Sequence, residues 1–464
     1  MSMKRPNIIF ILIDDLGWKD LACCGSSFYE TPVLDALAAQ GTRFTDAYAA
    51  CPVCSPSRAS ILTGKYPARV GVTDFIGGHT QGKVIDAPYV RHLPLAEKSL
   101  AAALRDGGYA TWHVGKWHLG GRPFYPDKHG FDVNIAGCDW GMPAKGYFSP
   151  YGIETLPEGP DGEYLTDRIT DEAVRLIRSN SGKPFFLNLW HYAVHVPIQV
   201  RPEWMDKYRR KAQAMGLDKL KTFEEGPLFP CEHKKHKHIV RRLVQSDPAY
   251  AAMIENLDSN IGRVLEAVEQ TGQAENTIVI FTSDNGGLAT AEGSPTCNRP
   301  LAEGKGWMYE GGTREPLIVR WPGVTQPGST CDAIVTSPDF YPTLLQMAGL
   351  EPLPAQHVDG ISFASLLRGG PAPKREAIFW HYPHYGNQGG TPGSSMRAGD
   401  WKLIEFFEDG RLELYNLRQD PSEERNLATQ HPERVREMKR MLAQWRESVG
   451  GRIPQPNPSY VPWQ

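Results

Sequence analysis

No run of apolar residues approaches the ~20 needed to span a bilayer, which excludes a transmembrane helix and leaves no membrane partner to expect. The apolar stretch near the start, Ile8-Ile9-Phe10-Ile11-Leu12-Ile13, stops at Asp14-Asp15. It is too short for a signal-peptide core and has no small-residue cleavage site after it, so it reads as a buried strand. As written, the chain carries no secretory signal and is expected in the cytoplasm; a leader upstream would make it periplasmic or secreted. A basic excess is missing too. The formal net charge is -3, which argues against a general nucleic-acid binder but leaves room for a local basic pocket and a small anionic substrate. Cysteine is sparse, at eight in 464 residues, and too scattered for a small disulfide scaffold. Cys51 and Cys54 form a C-x-x-C, but no second pair or H-x-x-x-H follows to complete a zinc site. There is no internal repeat.

Apolar residues make up 41% and charged residues 22%, enough to build a large core. Glycine and proline together are about 18% against a usual ~12%, which predicts many shaped loops on a rigid scaffold. Over the first ~350 residues, apolar runs alternate with helical patterns. Strands are expected at 7–13, 109–115, 185–190, 276–282, 316–321 and 332–336. Helices are expected at 32–40, 97–106, 164–179, 248–270 and 339–348. Such alternation implies a mostly parallel sheet covered on both faces. Composition changes near 350–375. Beyond it, 376–382, 396–407 and 411–417 read as an antiparallel sheet, with a hairpin at Glu408-Asp409-Gly410 and a final helix at 431–447. The expected division is 1–365, an α/β domain, and 366–464, a smaller C-terminal α+β domain. The basic stretch 231–242 reads as a solvated helical insertion rather than an anion-binding arm.

Chemistry concentrates where strands end. Asp14-Asp15 closes the first strand and Asp284-Asn285 the strand at 276–282. Ligands of open α/β sheets bind beyond the carboxyl ends of strands, and an oxygen-only donor set suits Ca²⁺ or Mg²⁺. Asp-Asp alone could equally cap a helix. Cys54 precedes Pro56 and a short helical stretch, with Arg58 one turn on, and a helix N-terminus favours anions. Cys54 as a buried thiol and Arg58 as a surface charge fit that segment equally well.

The string Cys54-Ser-Pro56-Ser-Arg58, followed by Leu62-Thr-Gly64, resembles the signature of the type I, formylglycine-dependent sulfatases. Other segments agree in order: Asp14-Asp15-Leu-Gly-Trp18, Gly115-Lys116-Trp-His118-Leu-Gly120, His191-Tyr-Ala-Val-His195-Val-Pro197, Ser283-Asp284-Asn285-Gly286, and Lys305 ahead of Tyr309-Glu-Gly-Gly-Thr-Arg314. The resemblance covers about residues 5–350, and Met396–Ile404 resembles the family's second domain. It implies an alkaline-phosphatase-like fold: a mixed, mostly parallel sheet between helices, with the C-terminal α+β domain appended. It also implies that Cys54 is oxidised to formylglycine (3-oxoalanine) by a formylglycine-generating or anaerobic sulfatase-maturating enzyme. One divalent metal, Ca²⁺ before Mg²⁺, is then held by Asp14, Asp15, Cys54, Asp284 and Asn285. Arg58, Lys116 and Lys305 supply positive charge, His118 acts as base, and His195 with Lys305 protonates the leaving alcohol.

The expected activity is removal of sulfate from a saccharide, exo-acting, on a galactose-type or N-acetylhexosamine sulfate. Asp139 and Trp140 lie where the family often places a substrate contact. His381 and His384, in the run Phe379–Tyr385, either reach the mouth of a sugar pocket or belong to a domain-interface strand. The alternative activity is phosphonate or phosphate diester hydrolysis on the same fold. A glycan-binding pseudoenzyme would need a missing nucleophile or ligand, and none is missing.

Overall fold

The computed structural model describes residues 5–462. Its centre is a nine-stranded sheet. In spatial order the strands are Ser329–Cys331, Thr42–Tyr48, Arg314–Arg320, Thr277–Ser283, Asn7–Ile13, Phe185–Trp190, Ala110–Gly115 and Val133–Ile135. Val335–Thr336 also pairs with Thr42–Tyr48. Asn7–Ile13 runs parallel to both neighbours, with Ile13 opposite Ser283 and Leu12 opposite Trp190. Gly115 lies opposite Trp190 in the next parallel pair. Arg314–Arg320 is antiparallel to both of its neighbours, so the sheet is mixed.

Ile8 to Ile13 are all fully buried. Successive side chains of a strand face opposite ways, so both faces of the sheet are covered. One set of helices packs around Pro248–Gln270: Pro32–Gln40, Leu165–Ser179 and Pro202–Ala214. A second set comprises Cys54–Thr63, Leu100–Asp106 and Phe340–Met347. Pro248–Gln270 starts where its sequence says it must, with Pro248 in the first turn and the Asp247 carboxylate accepting from the Ala249 and Tyr250 amides. In Leu165–Ser179 a stripe of Leu165, Ile169, Ala173, Leu176 and Ile177 is buried.

The C-terminal part is a four-stranded antiparallel sheet, Ile378–Tyr382, Gly393–Ala398, Trp401–Phe406 and Leu412–Asn416. Helix Pro432–Ser448 lays Val435, Met438 and Leu442 against Met396, Leu403 and Leu414. The stretch 396–407 is therefore two strands, reversed at Gly399-Asp400, where Gly399 has φ +56°. Residues 231–242 are not helical. A short 3-10 turn, Glu232–Lys234, leads into His238–Arg242, which pairs with Phe223–Leu228 as a hairpin. The apolar residues there alternate, Ile239 buried and Val240 exposed, and do not recur at helical spacing. Strand Thr42–Tyr48 and helix Pro202–Ala214 went unread in the sequence. Among the described residues no helix is long and apolar enough to cross a membrane, and all eight cysteines are free.

The two parts meet through buried charge. Lys402 Nζ lies 3.0 Å from Glu310 Oε1 and 2.9 Å from Glu423 Oε1. Glu310 Oε2 accepts from the Tyr48 hydroxyl at 2.7 Å, and Glu423 Oε2 accepts from the Glu310 amide at 2.6 Å. Asp46 is bracketed by Arg397 at 2.6 Å and Arg314 at 3.0 Å.

Candidate active site

Four parallel strands end at one level, and the loop after each brings a charged or titratable group to the same place. Asp14 and Asp15 follow Ile13, Asp284 and Asn285 follow Ser283, Lys116 and His118 follow Gly115, and His195 follows Trp190 by a short loop. Asp15 and His118 both have positive φ, +62° and +54°, a region that L-residues avoid unless surroundings enforce it. Helix Cys54–Thr63 points its first turn into this cluster, and all ten of its residues are buried.

The contacts interlock. Lys116 Nζ donates to Asp14 Oδ2 at 2.6 Å. Arg58 reaches Asp284 Oδ2 through Nε and NH2 at 2.8 and 2.7 Å, and its NH1 donates to the Lys116 carbonyl at 3.1 Å. Lys305 Nζ lies 2.8 Å from Asp15 Oδ2 and 2.9 Å from His195 Nε2. Three carboxylates thus face three cations. Yet Asp14 Oδ1 and Asn285 Oδ1 are buried without a hydrogen-bond partner. Stranded buried oxygens are costly, and oxygen donors converging this way fit a hard divalent cation. Asp14, Asp15 and His195 also place ligand atoms within 4.8 Å of one another.

Burial pushes the Asp14 carboxyl well above the ordinary range, with Lys116 opposing. Burial acts the same way on Asp15, but Lys305 and His195 outweigh it and hold that carboxyl well below the usual range. Burial and nearby cations keep both His118 and His195 neutral, well below the usual histidine range. Desolvation disfavours charged Lys305, but Asp15 more than restores it.

The neutral rings have fixed orientations. His118 Nε2–H donates to the Ile76 carbonyl at 2.9 Å, which leaves Nδ1 as the acceptor 3.2 Å from Cys54 Sγ. Ser55 Oγ clamps both sides of this contact, donating to the His118 carbonyl and accepting from the Ile76 amide. His195 Nδ1–H donates to the Val196 carbonyl at 2.8 Å, so Nε2 accepts from the Lys305 ammonium.

A cavity of about 510 Å³ opens above Cys54, His118, His195 and Lys305. Asp139 and Trp140 do not line it; the next two residues, Gly141 and Met142, do. A Cβ on Gly141 would sit 2.5 Å from His118 Cε1, a close approach that a lone glycine in a loop could have signalled. His381 is buried in the C-terminal sheet, bonded to Ser394 Oγ and the Arg452 carbonyl. Trp380 beside it bonds the Ala49 carbonyl, so this run is a domain-interface strand. His384 is buried between Asp86 and Thr73, close to Asp74. That knot anchors the loop whose Ile76 carbonyl orients His118. The residues that reach the cavity from this side are Asn387 and Gln388, just past the aromatic run.

The sulfatase family profile matches residues 6–350, and that of the N-sulphoglucosamine sulphohydrolase C-terminal region matches 303–448. A Formosa agariphila sulfatase is 34% identical, aligned over 92% of this chain and 85% of its own. Sus scrofa N-acetylgalactosamine-6-sulfatase is 32% identical over 81% of this chain and 69% of its own. The solved structure of Ps i-CgsB in complex with k-i-k-neocarrahexaose superposes with a TM-score of 0.75 at 27% identity, covering 98% of this chain and 95% of that one. The chain belongs to the sulfatase family: it is a sulfuric ester hydrolase on the alkaline-phosphatase-like fold.

Proposed function

We propose that the chain removes sulfate from a sugar, with Cys54 as formylglycine at the centre of the site. The observation that carries this reading is the facing of Cys54 and His118 Nδ1 across 3.2 Å, above a cluster of cations and oxygens with two oxygens left free. Hydrated formylglycine supplies a hydroxyl nucleophile towards sulfur and regenerates its aldehyde when sulfate departs. A divalent cation, Ca²⁺ before Mg²⁺, would be held by Asp14, Asp15, Asp284, Asn285 and position 54, and would neutralise charge on the sulfate. Arg58, Lys116 and Lys305 add fixed positive charge around the same oxygens. His118, neutral and with Nδ1 open, takes the proton from position 54. The Lys305 ammonium holds a proton at the cavity wall, and His195 Nε2 shares it; together they protonate the departing alcohol. The maturating enzyme is the partner this reading requires.

The relatives' named substrates support a galactose-type or N-acetylhexosamine sulfate, and a cavity of about 510 Å³ suits an exo-acting enzyme that takes one sulfated terminus. We place the functional domains at 1–365 and 366–464; the separate core of the C-terminal sheet and helix supports that division. The test is turnover of defined sulfated monosaccharides by matured protein, with aryl phosphodiesters and phosphonates alongside. Sulfate release from a hexosamine or galactose ring is expected. Faster turnover of the phosphodiesters and no sulfated sugar cleaved would overturn the reading.

A further inference from the structure

We infer that the hairpin at 223–242 forms a second saccharide subsite, which recognises an anionic sugar adjoining the one that is desulfated. The inference rests on the carbohydrate-sulfatase reading and extends it from one ring to two. A second cavity, of about 630 Å³, lies beside the first, and Glu292 lines both. The hairpin supplies its other wall through Phe223, Lys234, Lys237, His238 and Val240.

The hairpin is anchored by one face and open on the other. Ile239 packs with Tyr385 and Trp307. On the opposite face Phe223 and Val240 remain 40% and 37% exposed. The Arg242 guanidinium lies over the Phe223 ring, 4.5 Å from its centroid, and Glu225 stands opposite Val240 across the hairpin; the parts of Phe223 and Val240 still exposed form the kind of apolar platform on which a pyranose face can stack. The charges around it divide into used and unused. Arg241 pairs with Glu303 at 2.7 Å and Arg242 with Asp247 at 3.2 Å. Lys234 Nζ donates to the Asn387 carbonyl at 2.6 Å, which ties the hairpin to the wall of the active-site cavity. Lys237 has no carboxylate partner among the described residues. His238 donates Nδ1–H to the Gly226 carbonyl at 2.8 Å and lies 3.8 Å from Glu225 Oε1, so Nε2 remains as an acceptor for a sugar hydroxyl. A carboxylate or a second sulfate on the neighbouring ring supplies the acceptor that Lys237 lacks, while Glu292 at the junction, 3.8 Å from Lys234, can accept from sugar hydroxyls.

The experiment compares kcat/KM of matured full-length protein on three disaccharides that share one sulfated terminal sugar. The second ring is neutral, a uronate, or itself sulfated. An anionic second ring is expected to raise kcat/KM by about tenfold, chiefly through KM, with the gain shrinking at high salt. The uronate and sulfate arms show which anion is preferred. In Lys237→Ala and in Lys237→Ala/His238→Ala that preference should fall to about twofold or less. Equal kcat/KM for neutral and anionic partners in the parent protein, or an undiminished preference in the variants, overturns the inference. Loss of turnover on all three, including the neutral one, indicts the sulfatase reading instead. In that case binding of the same disaccharides to Cys54→Ala by calorimetry still decides the subsite: Kd must be lower for an anionic second ring and lose that advantage in the hairpin variants.

Discussion

Two buried clusters in this protein each set three carboxylates against three cations, and they end differently. Between the domains, Glu310, Glu423 and Asp46 face Lys402, Arg314 and Arg397, and each carboxylate oxygen has a cation or donor within 3.0 Å, Glu423 Oε1 through its ion pair with Lys402 alone and without a hydrogen bond. At the ends of the parallel strands, Asp14, Asp15 and Asp284 face Arg58, Lys116 and Lys305, but Asp14 Oδ1 and Asn285 Oδ1 are left over; Arg58 NH2 stands 3.7 Å from Asp14 Oδ1. The first cluster is closed and joins two surfaces. The second is incomplete by itself and adjoins a cavity. Buried charge alone therefore does not mark a site; unmet valence beside open space does.

The comparison can be broken most severely at Asp14. Asp14→Asn should lower turnover by about 10²–10³-fold or more and abolish any rise in melting temperature on adding Ca²⁺ to chelator-treated protein. A retained Ca²⁺-dependent rise would remove Asp14 from the metal set. His195→Ala separates proton transfer from charge balance. On a sulfated sugar it should lose about 10²–10⁴-fold, and on a nitrophenyl sulfate, whose leaving group needs little help, far less. Equal losses in kcat on both substrates would refute the assignment. Lys402→Met attacks the interdomain cluster by removing the cation held between Glu310 and Glu423. It should cost about 3–5 kcal/mol in chemical denaturation while the Ca²⁺-dependent thermal shift persists. Loss of that shift would mean the clusters are coupled.

The smallest effect concerns Glu423. Burial, with Glu310 adding to it and Lys402 opposing, raises its carboxyl to about 8. The folded chain keeps a proton there that the unfolded chain loses above its ordinary value of 4.5. This contribution to stability is complete below that value and is lost as pH rises towards 8. Glu423→Gln, which imitates the neutral form, should flatten the decline between pH 5 and 8 in denaturation midpoints. An unchanged slope would place the proton elsewhere.

Much of the scaffold was legible because the apolar runs at 7–13, 185–190 and 276–282 are continuous, as strands buried on both faces must be. The site's floor was legible for a related reason. Each strand delivers its charged residues immediately after its last apolar one, so motif and structure coincide. The walls were not. Gly141, Asn387 and Gln388 carry no charge, and their place depends on how distant loops fold over His118. The hairpin at 223–242 was obscured by its lysines and histidines, which look like a solvated helix until the single buried Ile239 is set beside its exposed neighbour. The interdomain cluster was invisible because Asp46, Glu310, Lys402 and Glu423 are far apart in the chain, and each is ordinary by itself.

Cys54 is only 3% exposed, and no residue of its helix reaches the surface. For the proposed conversion of this cysteine, the folded protein leaves access only through the floor of the active-site cavity. On that proposal, an enzyme that oxidises the thiol would reach residues 54–58 more readily before Ser55 and His118 lock together. Maturation and folding would then compete for the same chain, and the faster of the two would set the active fraction of a preparation. Slowing the collapse of this segment, at lower temperature for instance, would raise the yield of active enzyme without altering the final structure.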